Sequence, residues 1–236
     1  MANEEHVNAL KQGSAVWNRW RVGNPQVRPD LKGADLGGMD LEGANLQGAN
    51  LMGANLKGTV LARADLGRAK LVGSDLRSTN LVGADLSEAK FEGAVLEGAD
   101  LREAKLVRAE LKGRDLRSLP LAGADLSEAT LTGADLTGSD LRSAKLVGAD
   151  LRMAKLLGSD LAGADLSGAK LVRAKLGKAS LKGADLARAD LSGADLEGAD
   201  LEGANLSGAD ISRANLASAN LKDAVLDSIR RTDIGF

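Results

Sequence analysis

The chain has 236 residues, of which 44% are hydrophobic but only 2% aromatic, and its 31 basic and 33 acidic residues leave a formal net charge of −2. This near balance of charge argues against a strongly basic nucleic-acid-binding surface and against an acidic tail. The absence of cysteine excludes disulfides and thiolate metal sites, and so few aromatic rings are atypical of an ordinary globular core of this length.

Residues 1–28 are predicted to form a helical cap and a linker. Asn3 followed by Glu4 and Glu5 is typical of a helix N-cap with acidic residues in the first turn. Gly13 is expected to divide the segment into two helices. An apolar stripe is expected to cover the first coil of the region that follows, and it consists of Val7, Leu10, Trp17 and Trp20. A partner-binding helix is the alternative interpretation.

Residues 29–228 are predicted to form a repetitive domain. From position 31 to position 226 every fifth residue is leucine, apart from Phe91 and Ile211, which makes 40 consecutive units without an insertion. An α-helix with 3.6 residues per turn would carry these leucines around its whole circumference, and a flat strand would send them alternately to opposite faces. The period therefore predicts a backbone that turns a corner once in every unit.

The other positions of the unit agree with this interpretation. The residue two positions before the leucine is Ala in 31 units, so Ala and Leu are expected to point inward and to stack from coil to coil. Gly follows the leucine by two positions in more than half of the units, and it adopts positive φ without steric cost. The residue before the leucine is Asp or Asn in 26 units and is interpreted as structural, because its short side chain can hydrogen-bond the turn.

Units such as Ala34-Asp35-Leu36 and Ala164-Asp165-Leu166 resemble the A(D/N)LXX consensus of pentapeptide-repeat proteins, over about five-sixths of the chain. The resemblance implies an all-β solenoid, namely a right-handed quadrilateral β-helix of about ten four-sided coils with a short N-terminal α-helical cap. Ten coils at the usual inter-strand spacing would form a rod about 48 Å long.

Residues 229–236 are predicted to form a C-terminal tail or cap. Its apolar residues are Ile229, Ile234 and Phe236. An open end of a solenoid exposes strand edges and leucines that can recruit another chain. The short tail therefore predicts either a minimal cap or an end-to-end homodimer through these residues.

Two places in the repeats are candidate interaction sites. Arg114 and Leu119 put large side chains where a small inward residue is expected, and Pro120 follows. Because an unpaired arginine is costly in an apolar interior, a bulge or bend is predicted here, with the Arg114 head displaced outward towards Asp115 or another carboxylate. A partner site is the alternative. The second place is an outward apolar set that indicates a protein-binding patch if four units form a coil, and it consists of Met153, Leu157 and Val172.

Catalytic chemistry is not expected. His6, the one histidine, is interpreted as a surface residue rather than a ligand or a base, and the serines have no histidine beside a repeat face to activate them. Asp65 over Asp85 could form a carboxylate pair, but their column continues through lysines, which favours a charge ladder. We expect no catalytic site, no cofactor and no metal site.

The first functional hypothesis is a non-catalytic protein-interaction or structural rod with an unidentified protein partner. The alternative, implied by the resemblance, is a DNA-mimic modulator of a type II topoisomerase (gyrase), as in quinolone-resistance members of the family. The near-neutral charge departs from those members, although residues 185–210 hold seven acidic residues against one basic residue. Nucleic-acid binding is disfavoured because stacking aromatic residues are missing. Neither a signal peptide nor a membrane span is expected, which favours a cytoplasmic location.

Overall fold

Two helices open the first of two compact units of the chain. The computed structural model describes residues 2–232, and the units are Met1–Glu110 and Leu111–Phe236. The helices are α1 (Glu4–Lys11) and α2 (Ser14–Gly23). Among the described residues, no helix is long and apolar enough to cross a membrane.

The start of α1 and the break before α2 are as predicted. The side-chain oxygen of Asn3 accepts the backbone N–H of Glu5 at 2.9 Å and that of His6 at 3.3 Å, which confirms the N-cap. Gly13 has a φ of +96° and separates the helices, since this conformation costs glycine nothing.

The apolar stripe of the cap lies against the first coils. Leu10 and Trp17 are fully buried, whereas Val7 and Trp20 are half-buried. The two indole rings stack with centroids 5.0 Å apart. Trp17 therefore adds a large aromatic side chain next to a largely aliphatic interior.

Helix α2 also hydrogen-bonds to the backbone of an early coil. Nε1 of Trp17 donates to the carbonyl of Asn45 at 2.7 Å. The side chain of Asn18 donates to the carbonyl of Gly43 at 2.9 Å and accepts the N–H of Asn45 at 2.8 Å. A first coil has no earlier coil to pair with, so these side chains satisfy backbone groups at an otherwise open edge.

His6 is buried, and its interpretation as a surface residue is therefore wrong. Only 7% of the residue is exposed, because its ring packs against Trp20 with centroids 4.9 Å apart. Its Nδ1 accepts the backbone N–H of Asp30 at 3.0 Å. The histidine joins the cap to the residue that opens the first coil.

The rest of each unit is a β-helix solenoid. Parallel β-bridges join residues twenty positions apart, as in Asp35 with Asn55 in the first unit and Asp165 with Asp185 in the second. Twenty residues correspond to four five-residue steps. The N–H of Leu36 donates to the carbonyl of Asn55 at 2.9 Å, so successive coils are held by backbone hydrogen bonds.

The interior is aliphatic, as the repeat predicts. Leu36, Leu56 and Leu76 are fully buried, and so is Phe91 at the same position of its step. Where a threonine replaces the inward alanine, its hydroxyl finds a backbone acceptor, because a buried donor without one is costly. Thr79 donates to the carbonyl of Leu56 at 2.8 Å.

The corners also follow the prediction. Gly33 has a φ of +68°, and residues with side chains adopt the same conformation at equivalent corners, among them Met153 with a φ of +58°. The side chain of Asp40 accepts the backbone N–H of Glu42 at 3.1 Å. This local hydrogen bond explains why Asp and Asn dominate the position before the leucine.

Candidate protein-binding surface

An exposed apolar pair stands out on the second unit. Met153 is 57% exposed and Leu157 is 50% exposed. The N–H of Met153 donates to the carbonyl of Val172 at 3.0 Å, so the predicted neighbours Met153 and Val172 do lie on adjacent coils. Val172 itself is half-buried.

Leu157 lies across a glycine of the next coil. A Cβ added at Gly177 would come within 3.2 Å of its Cδ1, so the missing side chain leaves room for the leucine. Met153 and Leu157 precede and follow Lys155, which is bridged to Lys175 in the next coil. The two apolar side chains therefore flank a column of lysines.

Cations without counter-ions surround this pair. Lys170, Arg173, Lys175 and Lys178 are exposed, and within the described part of the chain none of these four forms an ion pair. Residues 151–180 contain six basic and two acidic residues. We call Met153, Leu157, Val172 and these four cations the Met153 surface.

Two other cations nearby are neutralised. Arg152 forms two hydrogen bonds to the carboxylate of Asp150, with Nε 2.8 Å from Oδ1 and Nη2 2.6 Å from Oδ2. This contact lowers the pKa of Asp150 to about 2. Nζ of Lys155 lies 3.2 Å from Oδ2 of Asp135. Lys175 is bridged through its backbone to Asp195 in the next coil. The carboxylate of Asp195 therefore lowers the positive electrostatic potential on that side of the Met153 surface. Lys170 is likewise bridged through its backbone to Asp150 and Asp190, so Arg173, Lys175 and Lys178 contribute most of the uncompensated charge beside Met153 and Leu157.

The other predicted irregularity begins at Arg114. The N–H of Arg114 donates to the carbonyl of Leu111 at 3.1 Å, the same turn bond that regular units make. Its guanidinium is directed outward, where Nε donates to the carbonyl of Lys112 at 3.3 Å. The expected partner Asp115 is instead paired with Arg117 at 2.6 Å. The guanidinium is thus bound at its own corner rather than to the expected carboxylate.

Leu119 and Pro120 fit into the regular coil. Leu119 is 1% exposed and occupies the inward position usually held by alanine. Its turn bond to the carbonyl of Leu116 lengthens to 3.4 Å, so the corner opens slightly to admit the larger side chain. Pro120 is half-buried and is bridged to Asp140. These residues belong to the core and the wall of the coil.

The C-terminal end leaves interior positions less covered. Leu206 is 1% exposed, whereas Leu216 and Leu221 are half-buried and Leu226 is 40% exposed. Ile229 is half-buried, and a groove of about 600 Å³ lies beside Ile211 and Leu216. The other predicted tail residues, Ile234 and Phe236, lie outside the described residues.

The stacked carboxylates of Asp65 and Asp85 are used by their own turns. Asp65 accepts the N–H of Gly67 at 3.0 Å, and Asp85 accepts the N–H of Ser87 at 2.9 Å. Among residues 2–232, no group of three or more His, Cys, Asp or Glu side chains is placed to hold a metal ion. Asp65 and Asp85 therefore make the same turn contact in successive coils.

Sequence reasoning found the apolar residues of the Met153 surface but did not connect them with the cations around them. The signal is present in the sequence, because residues twenty positions apart become neighbours. Lys155 and Lys175 follow this rule. Only the structure identifies which lysines and arginines lack carboxylate partners, since ion pairing depends on side-chain reach.

Comparisons with known proteins bear on the whole repeat region. A family model described as pentapeptide repeats, in 8 copies, matches residues 30–68, 59–98, 79–117, 121–156, 144–183, 159–198 and 189–227. No curated protein matches the chain.

Several solved structures are similar to the chain, and two of them illustrate the range. One is HetL, a pentapeptide repeat protein involved in heterocyst differentiation regulation from the cyanobacterium Nostoc sp. strain PCC 7120, with 36% identity over 89% of this chain and 94% of that one, and a TM-score of 0.38. The other is trypsin-treated QnrB1, a plasmid-mediated fluoroquinolone resistance protein, with 22% identity over 76% of this chain and 90% of that one, and a TM-score of 0.54. The likeness to QnrB1 concerns the fold alone.

Proposed function

This chain belongs to the pentapeptide-repeat family, and from that premise we propose that it is a non-catalytic solenoid that binds another protein through the Met153 surface. The twenty-residue offset between bridged residues supports a four-sided coil in each unit, and the family resemblance supports its right-handed winding. In this proposal the repeat acts as a scaffold, and specificity comes from the side chains that it displays.

The exposed pair Met153 and Leu157 carries the proposal. Apolar side chains that are half or more exposed gain by being covered, and methionine adapts to partners of different shape. The rim of unpaired cations favours a partner segment that combines an apolar side chain with carboxylates. Charge complementarity of this kind speeds association and orients the partner.

A nucleic acid fits the same surface less well. Single strands bind chiefly by stacking bases on aromatic rings, and the only tryptophans, Trp17 and Trp20, lie in the N-terminal cap of the other unit. Met153 and Leu157 would stay uncovered on a phosphate backbone. We therefore favour a protein partner.

The test is photo-crosslinking from a residue beside the surface. Gly133 lies on the preceding coil, where its N–H donates to the carbonyl of Arg152 at 2.9 Å, and a crosslinker at this position should capture one protein from a lysate in stoichiometric yield. Met153→Gly combined with Leu157→Ser should abolish the capture, and Lys175→Glu with Lys178→Glu should reduce it. Val147→Ser is the matched control, because Val147 is 38% exposed but lies outside the Met153 surface.

Two results would contradict the proposal. Capture that survives the Met153 and Leu157 substitutions would place the contact elsewhere. Captured material that disappears on nuclease treatment, together with a salt-dependent gel shift, would identify a nucleic acid as the ligand.

The uncovered interior positions near the C-terminal end support a homodimer as a further partner. Leu216, Leu221 and Leu226 are the residues that would lie at such an interface, and stacked ends would bury their side chains. An isologous contact between two identical ends closes on itself, which favours a dimer over a filament.

The acidic stretch at residues 185–210 favours a second candidate function, DNA mimicry towards a type II topoisomerase. Part of its charge is already neutralised, because Lys182 pairs with Asp200 at 3.1 Å and with Glu202 at 3.3 Å. A gyrase supercoiling assay decides this candidate. Inhibition or protection from quinolones would support it, and the absence of both would remove it.

A further inference from the structure

A basic groove lies in the first unit, beside the end of α2 and the linker that follows it. Its volume is about 390 Å³, within the range of roughly 300–1,000 Å³ typical of small-molecule sites. Its lining includes four basic residues and no acidic one. The basic residues are Arg21, Arg28, Arg68 and Lys70, and Gln26 and Gln47 add neutral amides.

Arg21 is unusual among these residues because it is buried. Only 7% of it is exposed. Its Nη1 donates to the carbonyls of Val27 and Asn24, the latter at 3.4 Å, but its Nε is buried without a hydrogen-bond partner. An unsatisfied buried donor is costly, and more so when it carries charge. Burial lowers the pKa of Arg21, an effect that Asp65 only partly opposes.

Two of the three exposed cations of the groove also lack counter-ions. Arg28 and Lys70 form no ion pair within the described residues. Lys70 is bridged to Asn50 on one side and to Lys90 on the other, so its column supplies no carboxylate next to it. Arg68 alone is neutralised, by two hydrogen bonds to Glu88 at 3.0 and 3.2 Å. Arg28 and Lys70 therefore face the groove without an ion-pair partner, and Asp65 only partly compensates the charge of Arg21.

We propose that this groove binds the phosphate group of a small phosphomonoester. Guanidinium groups suit phosphate because their planar donors match its oxygens, and a lysine adds a point charge. A phosphate dianion in the groove would compensate the charge of Arg21, which burial shields from water. The volume exceeds the need of a bare ion, and the glutamine amides are suited to hydroxyl groups of the organic part.

The test is titration of the intact chain with inorganic phosphate, glycerol phosphate and glycerol. Trp17 and Trp20 are the only tryptophans and belong to the same helix as Arg21, so their fluorescence reports occupancy. The NMR resonance of the buried Arg21 Nε–H reports, without any substitution, whether the guanidinium responds to the ligand. Glycerol phosphate should bind more tightly than phosphate and shift this resonance, and glycerol should do neither.

Substitutions locate the site. Arg28→Gln and Lys70→Gln should each weaken glycerol phosphate binding by roughly tenfold, because each removes a charge-assisted contact. Lys57→Gln is the matched control, since Lys57 is exposed in the same unit but does not line the groove. Equal loss in the control, or an unmoved Arg21 resonance at saturation, would overturn the proposal. Equal affinity for phosphate and glycerol phosphate would overturn the assignment to a phosphomonoester.

Discussion

The Nδ1 of His6 lies 3.0 Å from the backbone nitrogen of Asp30 and accepts its hydrogen bond. The carbonyl of Asp30 accepts the N–H of Asn3, also at 3.0 Å, so the cap satisfies both backbone groups of this residue. The helices are thus joined to the solenoid by backbone pairing as well as by the burial of Leu10 and Trp17. The two hydrogen bonds at Asp30 thus continue, between the cap and the first coil, the backbone hydrogen bonding that joins successive coils.

We expect His6→Phe to lower the free energy of unfolding of the first unit by about 1–3 kcal/mol, because the phenyl ring keeps the contact with Trp20 but leaves the Asp30 N–H without an acceptor. Thermal unfolding followed by tryptophan fluorescence measures the loss, and amide exchange at Asp30 should accelerate. Asn8→Ala, at an exposed position of the same helix, is the control. Unchanged exchange at Asp30 would show that the bond contributes nothing.

Thr79→Val should lower the free energy of unfolding by about 0.5–1.5 kcal/mol, since it keeps the shape of a fully buried side chain but removes the hydrogen bond to Leu56. Urea unfolding measures the difference. Thr79→Ser retains the hydroxyl and should retain the bond. A valine variant as stable as the native chain would mean that burial alone decides this position.

The Arg–Asp pairs should make the chain less stable in acid. The side chain of Arg77 holds the pKa of Asp75 at about 2, and Arg152 does the same for Asp150, against an ordinary value of 3.8. Since both pKa values are lowered, the stabilisation is complete above about pH 4 and is lost as the pH falls towards 2. Because the arginines are about half exposed, solvent screens each pair and keeps its contribution to stability small.

Urea unfolding across this range measures the effect. Arg77→Gln and Arg152→Gln together should flatten the fall in stability between about pH 4 and pH 2, and added salt should do the same in the native chain. Arg173→Gln is the control, because this arginine has no ion-pair partner among the described residues. An identical acid response in the double variant would contradict the assignment.

Met153→Gly should leave the free energy of unfolding unchanged or raise it by no more than about 1 kcal/mol. The φ of +58° strains a residue with a side chain but not a glycine, and the greater flexibility of unfolded glycine offsets part of that gain. Urea unfolding measures this, and Met153→Ala keeps the strain as a control. A clear loss of stability would mean that Met153 packs as part of the core rather than serving as a docking group.

Leu226→Glu should convert an end-to-end dimer into a monomer. Leu226 holds an inward position of the repeat but is 40% exposed near the C-terminal end, so the substitution would place a charge in the dimer interface. Light scattering over a range of concentrations measures the mass. Val225→Glu is the matched control, since Val225 is 42% exposed but is bridged to Asn205 and so belongs to the wall of the coil. A native chain that remains monomeric at high concentration would remove the dimer.

Local and periodic signals predicted most of the fold. The cap at Asn3 depends on neighbours two and three residues away, and the break at Gly13 depends on one residue's conformation. The burial of Leu36 follows from a repeat that forty units share. Such features need no knowledge of distant contacts, so the sequence is sufficient to predict them.

Contacts between distant parts of the chain explain the failures. His6 is buried by contacts with Trp20 and Asp30, which follow it by fourteen and twenty-four residues. Arg21 is buried by the linker that turns back over it, which the helical pattern of α2 does not indicate. Arg114 was expected to reach towards Asp115 or another carboxylate, whereas its side chain binds the carbonyl of Lys112 at the same corner.

One corner of the second unit is occupied in successive coils by Gly133, Met153 and Arg173, with φ values of +66°, +58° and +56°. The same backbone thus displays no side chain, an apolar one and a cation in turn, with no adjustment of the leucines inside. New recognition properties can therefore evolve by single outward substitutions, free of the compensating core mutations that most globular enzymes require.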